Sequence, residues 1–278
     1  MRRLGGKTGA LAAAGRRIVI MVLEDVGVAG RRATRVRRER ISVVGILGEL
    51  FITAGVVVLL FLGWQVFIND LVVGGEQQNQ AVEQSQVWER GGGSAPAPVD
   101  RADPGPPVVL ASAPGDSIQF ANLIIPRFGA DYSRPVLEGV AVYGALAEGI
   151  GHYPDTQLPG DVGNVALAGH RTGWGAPLGD IATLMVGDSI YLETADGWYR
   201  YVFRTFKYVA PTGVDVLEAV PENPGATPTD RILTLTSCNP KLTAAERIIA
   251  YSVFDTWYPR AGGPPPEISP VVTALAAG

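Results

Sequence analysis

Cysteine is all but missing from this chain: Cys238 is the only one among 278 residues. No internal disulfide can form, which excludes the small cross-linked scaffolds of many secreted domains. Histidine is nearly as scarce, with only His152 and His170. Two isolated histidines and one cysteine lack the close ligand spacing of a zinc site, and no acidic run has the spacing of a calcium loop. A glycine-rich phosphate cradle is absent too. The residues therefore call for no metal and no cofactor.

Charge is missing from one stretch in particular. Residues 41–68 contain a single charged side chain, Glu49, and the nineteen residues from Leu50 to Ile68 contain none. A hydrocarbon core of about 30 Å needs roughly that length of helix. Apolar on every face, the segment reads as a membrane helix rather than a buried core helix. Residues 1–40 carry eleven basic and three acidic residues, a net of +8, while the remainder carries twelve and 24, a net of −12. Basic segments stay on the cytoplasmic side, so the expectation is a single-pass cell-membrane protein with residues 1–40 inside and the chain after Asn69 outside. Trp64 and Phe67 fall near the outer interface. Forty residues precede the apolar run and no small-x-small site follows it, which favours an uncleaved anchor at 41–69. Next to such an anchor, the arginine-rich run Arg31–Arg40 gives no reason to expect nucleic acid as a partner. The earlier patch Ile18–Leu23 is too short to span.

Residues 70–116 are poor in apolar side chains. Glu76–Gln80 and Glu83–Gln86 are polar though compatible with helix, and residues 91–107 are rich in Gly, Pro and Ala. The segment reads as a flexible extracellular linker. Short β-rich runs then follow at Ser117–Ile125, Asn164–Ala168, Ser189–Thr194, Trp198–Val209, Arg231–Thr236 and Arg247–Phe254, with Ala195-Asp196-Gly197 as a hairpin turn. Such a series over 117–260 predicts an all-β barrel or sandwich with one core. A short helix is expected within Gly175–Met185, and a helix or strand edge at Val214–Val220. The Pro-rich tail, 261–278, is expected to be disordered.

The scarce residues sit at strand boundaries. Cys238 follows the strand-like Arg231–Thr236, His170 closes Asn164–Gly169, and Arg247 opens the run that follows the cysteine. Taken singly, each has an ordinary reading as a buried thiol, a structural histidine or a solvated edge arginine. Together, they match the needs of acyl transfer. A free thiol has a pKa near 8.5 and needs an imidazole to move its proton, while a guanidinium can stabilise the oxyanion of an attacked amide. No Asp or Glu is obviously placed to orient the histidine. His152 lies in what reads as a Gly-His-Tyr-Pro turn, with a structural or substrate-loop role, and Trp174 can wall a groove. Papain-like enzymes place cysteine before histidine, and the Ser-His-Gly-Cys arrangement of L,D-transpeptidases is absent.

At Thr234-Leu235-Thr236-Ser237-Cys238 the chain resembles the sortases, cysteine transpeptidases with a Thr-Leu-x-Thr-Cys motif. Ser237 replaces the last threonine, keeping its hydroxyl. The segment Gly163–Arg171, with Gly151-His152-Tyr153-Pro154 and Leu158-Pro159-Gly160 before it, resembles the class E branch of high-GC Gram-positive bacteria. The likeness runs from about Ile118 to Tyr258. It implies a closed eight-stranded β-barrel, Cys238 as nucleophile, His170 as general acid, and Arg247 holding substrate and oxyanion. Thr236, Ser237, His152 and Trp174 are the substrate-binding candidates. The implied partners are proteins with a C-terminal Leu-Ala-x-Thr-Gly or Leu-Pro-x-Thr-Gly signal and an amine of a cell-wall precursor. Alternatives are a pilus-building sortase, whose usual lid and second membrane helix are not evident, and a non-catalytic surface-binding β-domain.

Overall fold

A computed structural model describes residues 42–91, 104–269 and 272. The basic segment 1–40, residues 92–103 and most of the chain beyond 269 lie outside the described residues. The chain divides into two compact units, Met1–Ile52 and Thr53–Gly278. In the first, the described residues begin helix α1 (Val43–Gly63), which has a mean hydropathy of 2.5 and no buried residue. By length and composition α1 can cross a bilayer. A π-helical turn at Trp64–Ile68 leads into α2 (Asn69–Gly91).

The second unit is built on a closed barrel with strand order β1-β2-β3-β4-β7-β8-β6-β5. The strands are β1 (Gln119–Ile124), β2 (Ser133–Glu138), β3 (Ile150–His152), β4 (Gly163–Ala168), β5 (Ser189–Glu193), β6 (Gly197–Val209), β7 (Arg231–Asn239) and β8 (Glu246–Pro259). A one-turn helix, α3 (Ala145–Glu148), precedes β3. Neighbours are antiparallel except β2 with β3 and β4 with β7. Side chains two apart point the same way along a strand. Val165 and Leu167, Leu233 and Leu235, Ile248 and Ala250, and Tyr199, Tyr201 and Phe203 accordingly meet in one buried core. The six expected strands are all present, and Thr194 N–H donates to the Gly197 carbonyl at 2.8 Å to close the expected hairpin.

Several expectations are corrected. His152 lies in β3 rather than in a turn, with its backbone paired to Leu167. Gly175–Met185 contains only a 3-10 turn at Ile181–Thr183, and Val214–Val220 another at Asp215–Leu217. The stretch 70–116 is not a free spacer in its described parts. Helix α2 buries the stripe Gly74, Gln77, Ala81 and Ser85, spaced three or four residues apart and so on one face. That stripe is small and polar, and the helix docks largely by hydrogen bonds. Asn122 Nδ2 donates to the Ala81 carbonyl at 2.9 Å, and Ser85 Oγ donates to Glu193 Oε1 at 2.6 Å. Farther on, the Gly105 carbonyl accepts from Trp257 Nε1 at 2.9 Å, and Leu110 packs on the core. The tail is corrected likewise. Ile268 and Val272 are buried against Ile124, Tyr191 and Trp198 because those side chains form an apolar patch on the barrel's outer face.

Glu193 carries a charge where little water reaches it. Arg260 Nη2 lies 2.9 Å from its carboxylate, with side-chain exposures of 10% and 2%, and Asn122 Nδ2 donates to it at 3.0 Å. Removing one partner of a buried pair leaves the other uncompensated. Arg260→Met should therefore cost about 3 kcal/mol, measured as a lower denaturant midpoint at unchanged slope.

Candidate active site

The register of three strands brings the scarce residues together. Strands β4 and β7 run parallel, with Ala168 beside Thr236, and Gly169 N–H continues the ladder to the Thr236 carbonyl at 3.1 Å. Two residues beyond that pair stand His170 and Cys238. On the other side, β7 and β8 are antiparallel, with Cys238 directly opposite Arg247. Because Leu235, Leu167 and Ile248 face the core, alternation directs Thr236, Cys238 and Arg247 to the outer face of the sheet. Cys238 and Arg247 thus share the outer face at one end of the sheet, where the chain leaving β4 carries His170.

Cys238 is a free, half-buried thiol. His170 is half-buried as well, and its Nε2 is shielded from solvent without a hydrogen-bond partner. Burial lowers the imidazole pKa, and the negative charge of Asp70 pulls weakly the other way. A neutral ring at neutral pH follows. The Trp174 ring lies nearly parallel to it, 6.2 Å between centroids and 24° between planes, and Tyr143 meets Trp174 edge-on. Arg247 is at the expected position, but its guanidinium is turned to the β7–β8 connection, where Nη1 donates to the carbonyls of Ala244 at 3.2 Å and Glu246 at 3.1 Å. Ala244 belongs to the β7–β8 connection, and Glu246 is the first residue of β8.

The substrate-binding candidates divide. Trp174 lies against His170, and Thr236, 4% exposed, is on the same outer face as Cys238 with its hydroxyl 3.2 Å from that of Tyr153. Ser237 is 3% exposed and donates to the Gly169 carbonyl at 2.7 Å. Its hydroxyl joins β7 to the end of β4 instead of facing the groove. His152 is fully buried: Nδ1 lies 2.7 Å from Glu138, and Nε2 lies 3.0 Å from both the Gln157 carbonyl and the Thr156 hydroxyl. With both ring nitrogens taken, it is a structural histidine.

Arg171 was missed. Its Nη1 donates to the Cys238 carbonyl at 3.2 Å and also bonds Asn239 Oδ1. The guanidinium thereby ties the chain after His170 to the chain after Cys238. Adjacency to His170 was the only signal in the sequence. Elsewhere on the outer face, Asn164 Nδ2 donates to the carbonyls of Val216 and Glu218, both at 3.1 Å, while Asn164 Oδ1 accepts from Thr234 Oγ1 at 2.7 Å. This fastens the β6–β7 connection over the sheet. Among the described residues, no group of three His, Cys, Asp or Glu side chains is placed to hold a metal ion.

Such a site, a thiol and an imidazole at the ends of adjacent parallel strands with an arginine opposite, can support attack on a carbonyl and proton return to a leaving group. Residues 123–254 match the sortase domain model. Sortase SrtE2 of Streptomyces coelicolor is 32% identical over 243 residues, covering 82% of this chain and 88% of that protein. Sortase SrtE1 of the same organism is 34% identical over 248 residues, covering 86% of this chain and 65% of its own length, so the chain spans just under two thirds of that relative. The crystal structure of that sortase E1 with a tripeptide in its active site superposes with a TM-score of 0.51 at 34% identity, covering 57% of this chain and 99% of the solved one. The chain belongs to the sortase family of cysteine transpeptidases, and these relatives are of its E class.

Proposed function

We propose that the chain is a membrane-anchored transpeptidase that cleaves the Thr–Gly bond of a C-terminal sorting signal of the Leu-Ala-x-Thr-Gly or Leu-Pro-x-Thr-Gly kind and joins the new carboxyl end to an amine of a cell-wall precursor. The observation that carries this reading is the register that sets Cys238 opposite Arg247 and ends β4 two residues before His170. The tripeptide in the active site of the Streptomyces sortase E1 supports a peptide as the ligand of such a groove.

The roles follow from charge and proton balance. Cys238 Sγ, having lost its proton to His170, attacks the threonine carbonyl, and negative charge develops on the oxygen. Arg247 stabilises that charge once its guanidinium leaves the Ala244 and Glu246 carbonyls, a cost repaid because an oxyanion is a stronger acceptor than either. His170 then returns the proton to the departing glycine amine as the C–N bond breaks, leaving a thioester. The acceptor amine attacks the thioester, gives up a proton to His170 and expels the cysteine sulfur, which regenerates the thiol. Helix α1 anchors the chain, with residues 1–40 cytoplasmic and the barrel outside.

A purified chain incubated with a Leu-Ala-x-Thr-Gly peptide and an amine acceptor should yield the conjugate, with Cys238→Ala giving none. Conjugation by Cys238→Ala equal to wild type would sink the assignment. His170→Ala should lower kcat by about 10³-fold. Arg247→Lys keeps the charge but loses the planar fork, and should lower kcat/KM by about 10²-fold. In nuclear magnetic resonance titration, His170 should protonate below the ordinary histidine value of about 6.5, since burial disfavours its charged form. The sign for stability follows: as pH falls through that ordinary value, the unfolded chain takes up the proton first and the folded state loses stability.

A further inference from the structure

The loop after His170 has an unusual backbone. Gly173, Trp174, Gly175 and Ala176 follow one another with φ of 72°, 54°, 76° and 43°. Left-handed backbone is natural for glycine but disfavoured for tryptophan and alanine, so something outside the loop must stabilise it. Two bonds within the loop, Ala176 N–H to the Gly173 carbonyl and Leu178 N–H to the His170 carbonyl, both at 2.9 Å, close it on itself. The remaining ties come from α2. Gly173 N–H donates to Asp70 Oδ2 at 3.0 Å, and Gln77 Nε2 donates to the Trp174 carbonyl at 2.9 Å. The two backbones touch between these bonds: a Cβ added to Gly175 would lie 2.9 Å from the Gly74 nitrogen, and one added to Gly74 would lie 3.2 Å from the Gly175 oxygen. One and two turns of α2 thus grip successive residues of the loop.

What the loop positions is the Trp174 ring, and that ring lies on His170. The imidazole gets little other direction, since its Nε2 bonds nothing. In many acyl-transfer enzymes a carboxylate orients the histidine through a hydrogen bond. Here, stacking against a held indole takes that place. We propose that Asp70 and Gln77, on the helix that follows the apolar segment, are positioning residues for His170 that act by holding Trp174 against its ring. The groove is then completed by a segment outside the barrel.

This inference rests on the transpeptidase reading, and its test separates the two. The full chain, in detergent micelles, is assayed with the sorting peptide and an amine acceptor. Asp70→Ala and Gln77→Ala should each lower kcat roughly ten-fold or more with the peptide KM little changed, as expected when a reacting group is misplaced by a small distance. Asp70→Asn keeps an oxygen that can accept from Gly173 N–H and should recover most of the rate. Gln77→Glu replaces a donor by an acceptor facing a carbonyl, and should not. Glu76→Ala, on the exposed side of α2, serves as the control with wild-type kinetics. Amide hydrogen exchange over residues 171–177 should quicken in Asp70→Ala and Gln77→Glu but not in Asp70→Asn. Wild-type kcat in both alanine variants, or a loss shared equally by Asp70→Asn, overturns the proposal. If the wild-type chain forms no conjugate, the transpeptidase reading fails. Exchange then decides the positioning claim alone, and unchanged exchange in Asp70→Ala overturns it.

Discussion

Strand β7 is hydrogen-bonded on both sides, to β4 in parallel and to β8 in antiparallel register. A parallel pair cannot be joined by a tight turn, so the chain between β4 and β7 must travel, and here it builds β5, β6 and their connections on the way. The two strand ends that finally meet carry His170 and Cys238. A slip of one residue in either pairing would turn Cys238 into the core and move Leu235 out of it, at the expense of the entire buried set. The hydrophobic pattern of β7 therefore fixes the position of the sulfur as firmly as it fixes the core. Ser237 and Arg171 add polar ties at the same junction, one on each side of the sheet.

The electrostatics of the groove differ from those of a thiol–imidazolium pair in the open. Burial depresses the pKa of His170, and the stacked Trp174 supplies area rather than charge. Arg247 Nη1 is engaged by the Ala244 and Glu246 carbonyls in this state. A guanidinium held this way must move before it can meet a developing oxyanion, as the proposed mechanism requires.

The strands with alternating apolar residues could be read directly. The motif around Cys238 and the family resemblance carried the reading from six strands to eight. Strands β2 and β3 were not legible alone, because Arg134 and Pro135 interrupt the first and the second is three residues long with a glycine at its centre. Pro within a strand and so short a run both count against strand on local grounds, and tertiary pairing overrides them. Helix α2 was misread for a different reason. Its buried stripe is Gly, Gln, Ala and Ser, and a docking face made of small residues and amide bonds leaves no hydrophobic period to detect. Of the candidate site, Cys238 and His170 stood out by scarcity and strand position, and Arg247 by its place at the start of the strand after the cysteine. Their supports, Arg171, Asp70 and the structural use of Ser237, depend on contacts across 67 to 103 residues, for which no local pattern exists.

Glu193 is met by three stretches that lie far apart along the chain: Ser85 from α2, Asn122 from β1 and Arg260 from just past β8. Its carboxylate is a knot on the side of the barrel where the helix and the closing segment come together. A fragment cut to begin at residue 104 would retain all eight strands with His170, Cys238 and Arg247, yet one oxygen of that knot would lose the serine it accepts from. Fragments trimmed to the barrel alone would therefore differ from the whole chain at a buried charge as well as at the histidine loop.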